Sequence, residues 1–208
     1  MTLSSGSATL VDRLAGRADS SSLVRFGAVL FVTALTSAAA QISVPLPFTQ
    51  VPFTFQPMVV LLGGLVLGSR LGLASQALYL LAGIAGLPVF AASATLPPGA
   101  LRLLGPTGGY LMSYPIAAFV TGCLAERGFD RRYLTSVVAM LAGLVVVYAC
   151  GAIWLGLFAR GVATAPLGLH TALVTGVYPF IAADLVKLLA AAGVVPGFWR
   201  LFGRTDPR

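Results

Sequence analysis

Apolar residues in this chain gather into six long runs separated by short polar or proline-rich stretches. A helix needs roughly 20 mostly apolar residues to cross a bilayer, and six segments approach that pattern. They run from about Phe26 to Val44, ended by Pro45 and Pro47, then from Phe53 to Gly68, and from Leu73 to Leu87 after a tight turn at Ser69–Gly72. The fourth is about Tyr110 to Leu124, the fifth about Thr135 to Phe158 and the sixth about Leu169 to Val195. Only the Ser69–Arg70 turn separates the second from the third. The expected fold is an all-α integral membrane protein with six transmembrane helices within residues 23–199. Residues 1–22, Ser-rich and carrying Asp12, Arg13, Arg17 and Asp19, are expected to be a flexible cytoplasmic tail. They lack the short apolar region and small-residue cleavage site of a signal peptide. Residues 200–208 are expected to be a short basic cytoplasmic tail.

The positions of the cations orient these spans. Six spans put both termini on one side, which then holds Arg13, Arg17, Arg25, Arg70, Arg127, Arg131, Arg132, Arg200, Arg204 and Arg208. The other side holds only Arg102 and Arg160, and Lys187 lies within the sixth run, which accounts for all 13 Lys and Arg residues. Positive loops stay in the cytoplasm, so both termini are expected there.

Composition agrees with lipid as the solvent. The 208 residues are 58% hydrophobic and only 9% charged, with a mean hydropathy of +0.94, against about 25% charged for a soluble domain. A net charge of +7 could suggest nucleic acid. The arginines, however, fall singly or in pairs between apolar runs rather than on one stripe, and no nucleic-acid partner is expected. Cys123 and Cys150 lie in apolar runs without metal-ligand spacing and are taken as small buried hydrophobes. No repeat of 20–50 residues is visible, which disfavours a carrier built from inverted halves.

Two outer loops carry no acidic side chain and are stiffened by proline: residues 45–56, and residues 86–90 with 104–111. Such loops resemble lids folded over the bundle more than solvated connectors. Gly108 and Gly109 could turn their N–H groups toward a ligand at the start of the fourth span, or could belong to an ordinary Pro-Gly turn. In the first span Ala34 and Ala38 form a small-residue face that another backbone could approach. Gly64 and Gly68 make the same spacing in the second.

Asp184 is the one acid inside a span, and Lys187 is the one lysine in the chain. Three positions apart, they share a helix face. A charge near the bilayer centre costs about 2.5–3.5 kcal/mol on translocon scales, so the two must pair or face a polar cavity. The pair either orients the last span or marks a site, and intramembrane ionisable groups favour the site. Together they offer donors and acceptors suited to a urea, amide or carboxylate. Pro179, just upstream, is expected to kink the helix. Phe53, Phe55, Tyr79, Phe90, Tyr110, Tyr114 and Trp154 are available as apolar walls or packing, and Gln56 and Gln76 are unusual polar residues for spans.

With its single lysine in Leu185-Val186-Lys187, the chain has no phosphate-binding loop for ATP. With one histidine, His170, it has no zinc-protease motif either, and no metal or cofactor is expected. A membrane enzyme using Asp184 as general acid or base lacks a nucleophile. A self-sufficient facilitator or proton-coupled carrier using Asp184 remains an alternative.

The strings Val51-Pro52-Phe53-Thr54-Phe55-Gln56, Leu67-Gly68-Ser69-Arg70-Leu71-Gly72, Gly86-Leu87-Pro88-Val89-Phe90 and Gly105-Pro106-Thr107-Gly108-Gly109-Tyr110 occur in that order. Followed by Pro179-Phe180-Ile181-Ala182-Ala183-Asp184-Leu185-Val186-Lys187, they resemble the BioY family over nearly the whole chain. That family comprises the biotin-specific S components of energy-coupling factor transporters. The resemblance implies a six-helix S-component-like bundle in the bacterial cytoplasmic membrane that captures biotin from outside. A transmembrane coupling subunit and ATPase subunits would drive uptake. It implies a pocket containing Asp184 and Lys187, lined or closed by Gln56, Tyr79, Phe90, Gly105, Thr107, Gly108, Gly109 and Tyr110. It also implies that Ala34 and Ala38 contact the coupling subunit. Two departures stand out. Residues 91–99 lack the glycine-rich run with a polar side chain often found in relatives, with Ser93 and Thr95 as the candidates to replace it, and Leu111 occupies a position where some relatives carry arginine. Recognition of a carboxylate would then rest on Lys187, on backbone N–H groups or on Arg102, alternatives the sequence leaves open.

Overall fold

The computed structural model describes residues 9–16, 21–93, 96–159 and 167–202, with the side chains of 12–14, 201 and 202 left aside. Thr95, Arg17, Arg160, Arg204, Arg208 and the Arg13 side chain lie outside that description. Within it, helices α1 (Leu10–Ala15) and α2 (Ser21–Gln41) precede a hairpin of β1 (Ser43–Val44) and β2 (Phe53–Thr54). There follow α3 (Gln56–Leu67), α4 (Ser69–Ile84), α5 (Leu101–Leu104), α6 (Gly108–Glu126), a 3-10 turn at Phe129–Arg131 and α7 (Tyr133–Leu157). The last elements are α8 (Leu169–Gly176), α9 (Tyr178–Ala192) and α10 (Val194–Phe202).

Among the described residues, four segments are long and apolar enough to cross a membrane: Ser21–Gln41, Gly108–Glu126, Tyr133–Leu157 and Tyr178–Arg200. The 12 residues of α3 are apolar but short, about 18 Å at 1.5 Å per residue. The second expected span thus begins at Gln56 rather than Phe53, because Phe53 and Thr54 pair with Val44 and Ser43 in the hairpin. This hairpin holds the only strands among the described residues. Large apolar side chains such as Leu23, Phe26, Leu134, Val145 and Val186 stay exposed on outer faces, as suits a surrounding of lipid rather than water. Within the segment expected to be a tail, Leu10–Ala15 is helical, with Val11 packed against Val32 and Leu67.

The turn between α3 and α4 is tighter than expected. It is Gly68 alone, at φ +81°, and α4 begins at Ser69, a conformation that glycine adopts without a Cβ penalty. The last residue of α6 closes it: Glu126 Oε1 accepts from the Ser69 N–H at 2.8 Å and the Ser69 hydroxyl at 2.7 Å. A carboxylate at a helix N-terminus satisfies an otherwise orphaned donor and favours the positive end of the dipole. Gly122 of α6 lies so close that a Cβ there would strike the Gly68–Ser69 backbone. α6 forms the centre of the bundle, packed against α3, α4 and α7.

The expected sixth span is broken. α8 ends at Gly176 and α9 starts at Tyr178, with Pro179 in its first turn. Pro179 has no N–H to continue the ladder from α8. The Phe180 N–H turns to the Val177 carbonyl at 3.0 Å, and the Gly176 carbonyl accepts the Tyr110 hydroxyl at 2.8 Å instead. At the other end of this region Asp130 is buried and accepts the Trp199 indole N–H at 2.6 Å. Burial pushes its carboxyl above the usual range, partly offset by that hydrogen bond and by Arg131.

Replacing Gly122 with alanine forces the α3–α4 turn away from α6. Overpacking of this kind costs about 1–3 kcal/mol. A clear fall in the unfolding temperature of the detergent-purified Gly122→Ala protein is expected, and an unchanged value contradicts this packing.

Candidate functional site

Beneath the hairpin loop lies a cavity of about 520 Å³, bounded by residues of that loop, of α6, α7 and α9, and of the segment between α4 and α6. Its wall is apolar over much of its extent, with Val51, Phe90, Leu111, Tyr114, Val147 and Phe180 contributing. A few polar groups converge on it, the usual composition of a small-molecule site.

Asp184 supplies the negative charge. It sits on the inner face of α9 and is buried. Its Oδ1 pairs with Lys187 Nζ at 2.5 Å, and its Oδ2 accepts the Tyr148 hydroxyl of α7 at 2.6 Å. A carboxylate has about four lone-pair directions, so two remain for a ligand. Asp184 and Tyr148 both line the cavity.

Lys187 is placed differently from the expectation. It is buried but is absent from the cavity wall. Besides Asp184, it donates to the Thr54 carbonyl of β2 at 2.7 Å, and it stands 4.0 Å from the Phe53 ring centroid and 5.3 Å from that of Phe55. Two of its three donors are thus bonded and the ammonium is covered by aromatic faces. It ties the hairpin to α9 and holds Asp184 from behind.

Gln56, at the start of α3, reaches the cavity and donates to the Tyr79 hydroxyl at 2.6 Å. Tyr79 itself is buried behind the wall, edge-on to Phe90 with ring centroids 5.4 Å apart. Phe90, Thr107 and Tyr110 line the space. Gly105, Gly108 and Gly109 do not. None of the three has a positive φ, and Gly108 and Gly109 sit where a Cβ would collide with Leu103 and Trp154 respectively. The Trp154 indole donates to the Gly105 carbonyl at 2.9 Å, which pins this loop to α7. The Gly105 and Gly108 N–H groups are taken by the Arg102 and Gly105 carbonyls, and Gly108 and Gly109 permit close packing against α5 and α7. Gln76 also faces elsewhere, donating to Thr36 of α2 at 3.2 Å. Ser93 lies on the cavity wall.

Tyr148 was not singled out from the sequence. The available signal was a tyrosine in mid-span, away from the interfaces where that residue is enriched. Ala34 and Ala38 are both exposed on α2, and neither lines the cavity.

Comparison with known proteins follows the same pattern. Residues 15–204 match the model of the BioY family. The chain is 44% identical over 176 residues to a protein named probable biotin transporter BioY from Pyrococcus horikoshii, covering 85% of this chain and 94% of that one. It is 39% identical over 160 residues to the biotin transporter BioY of Thermotoga maritima, covering 77% and 86%. A crystal structure of the S-component for biotin from an ECF-type ABC transporter superposes with a TM-score of 0.75 at 25% identity, covering 88% of this chain and 94% of the other.

The site geometry makes a stability test possible. Lys187→Met strips Asp184 of its cation, and breaking one side of a buried pair costs about 3–5 kcal/mol. Replacing both, as Asp184→Asn with Lys187→Met, is expected to recover at least half of the lost unfolding temperature. A double variant no more stable than the single one rules out the pair as mutual compensation.

Proposed function

We propose the function from an established premise: this chain belongs to the BioY family, whose members are transporters and not enzymes. It is the biotin-binding membrane subunit of an uptake system, and the cavity with Asp184 and Tyr148 at its wall is the observation that carries this reading. Biotin has a urea whose N–H groups need acceptors, a thioether ring that suits an apolar wall, and an aliphatic acid tail. Asp184 offers the acceptors, and Phe90, Tyr114, Val147 and Phe180 offer the wall.

The membrane arrangement we infer has six crossings. They are α2, α3 with α4 as a helical hairpin, α6, α7, and α8 continued by α9 and α10. Both termini are cytoplasmic, a reading supported by ten arginines on that side against two on the other. Residues 23–199 make up the transmembrane unit, which resides in the cell membrane and captures biotin from outside. The hairpin loop and the 105–110 segment cover the cavity on that side.

Energy comes from partner subunits. The one lysine lies in Leu185-Val186-Lys187, which is not a Gly-rich phosphate-binding loop. A membrane-embedded coupling subunit, bound to ATPases, docks on the face of α2 that exposes Ala34 and Ala38 beside Phe31 and Leu35, where small residues admit close approach of another helix.

Equilibrium binding of biotin to the purified protein tests the reading, and the absence of saturable binding overturns it. Asp184→Ala is expected to weaken binding about 10–100-fold, the worth of a charge-assisted hydrogen bond. Lys187→Ala is expected to weaken it less directly, through the displaced carboxylate and hairpin. Uptake into vesicles requires the added coupling and ATPase subunits on this reading. Uptake by the chain alone identifies a self-sufficient carrier instead.

A further inference from the structure

We propose that Arg102 is the specificity-determining residue that receives the carboxylate end of the substrate, an assignment that rests on the biotin reading above. Two cations are near the cavity, and geometry separates them. Lys187 is spent on Asp184, the Thr54 carbonyl and the face of Phe53, and it does not reach the cavity wall. Arg102, on the short α5, forms part of that wall.

The environment of Arg102 is that of a cation awaiting an anion. Its residue is 9% exposed, and its Nε is buried with no hydrogen-bond partner. Among the described residues it has no ion pair. The acid of the cavity, Asp184, is engaged by Lys187 and Tyr148. Burial pulls the guanidinium below its ordinary pKa, opposed only by the influence of Tyr79. A buried charge persists when it is paired and hydrogen-bonded. A carboxylate meets that requirement in full, because the planar fork of arginine binds it through two parallel N–H···O bonds.

The neighbourhood supports the same assignment. Arg102 shares the cavity wall with Pro106, Thr107 and Leu96. Position 111 on α6, also at the wall, is leucine and offers no charge. The cavity wall therefore carries two unlike charged groups. The acidic Asp184 with Tyr148 accepts N–H donors, and Arg102 accepts an anion. A ligand with a urea at one end and a carboxylate at the other satisfies both.

The test compares biotin with biotin amide, which keeps the bicyclic ring and tail but carries no charge. Kd values are measured for both on wild type, Arg102→Gln and Arg102→Lys, with unfolding temperatures as a control on folding. The expected result is a loss of at least tenfold in biotin affinity for Arg102→Gln, with amide affinity within about twofold of wild type and partial recovery in Arg102→Lys. Equal losses for acid and amide, or no loss for either, overturn the role of Arg102 while leaving biotin binding in place. A wild-type protein that binds neither compound removes the biotin reading and this assignment with it. If Arg102→Gln fails to fold, Arg102→Lys decides: retained amide affinity with weakened biotin affinity supports the assignment, and equal effects on both overturn it.

Discussion

The pairing of Asp184 with Lys187 is the constraint around which the site is organised. Neither charge is tolerable alone in a hydrocarbon surrounding, and a single helical turn brings them together on the inner face of α9. The lysine then has donors left over, and it uses one on the Thr54 carbonyl. A strand of the hairpin is thereby attached to a helix 133 positions later in the chain. The acid, fixed from behind, keeps part of its accepting capacity for the cavity. One ion pair thus solves a solvation problem, anchors a cover and aims a ligand-binding group.

The remainder of the bundle serves to make that arrangement rigid. α6 runs through the middle, approached closely at Gly122 by the α3–α4 turn and capping that turn with Glu126. The break before Pro179 frees the Gly176 carbonyl, which Tyr110 of α6 satisfies. Irregular backbone within an apolar region is tolerated only where a neighbouring group meets its polar atoms. The indole of Trp154 does the same for Gly105. Polar side chains on α6 and α7 therefore repair the backbone where helices end, and the cavity opens beside those repairs.

A cavity of this kind also explains why unlike polar groups coexist in so apolar a chain. Buried hydrogen bonds are strong where water is excluded, and unpaired groups there are costly. Most polar side chains at the site have partners within the protein, as Gln56 has Tyr79 and Asp184 has Tyr148. Among the described residues, Arg102 Nε is the buried polar atom of the cavity wall without a partner. Selectivity for a ligand arises at such exceptions, because only the right chemical group makes up what the fold leaves open.

The sequence by itself determined the solvent, the approximate helices and the key pair. Long apolar runs can satisfy their backbone in lipid only as helices, and a spacing of three on a helix places Asp184 and Lys187 on one face whatever the rest of the chain does. Pro179 likewise announced a break, because a missing N–H is a local fact. Tertiary structure decided what each of those groups touches. That Lys187 faces Thr54 and Phe53 rather than the cavity depends on how the hairpin folds across α9. That Gly108 and Gly109 are packing positions depends on the proximity of α7. Tyr148 became visible only when α7 met α9, and the unpartnered Arg102 only when α5 was folded into the wall. Spacing along a helix fixes direction on that helix alone, whereas a binding site is made where several helices meet.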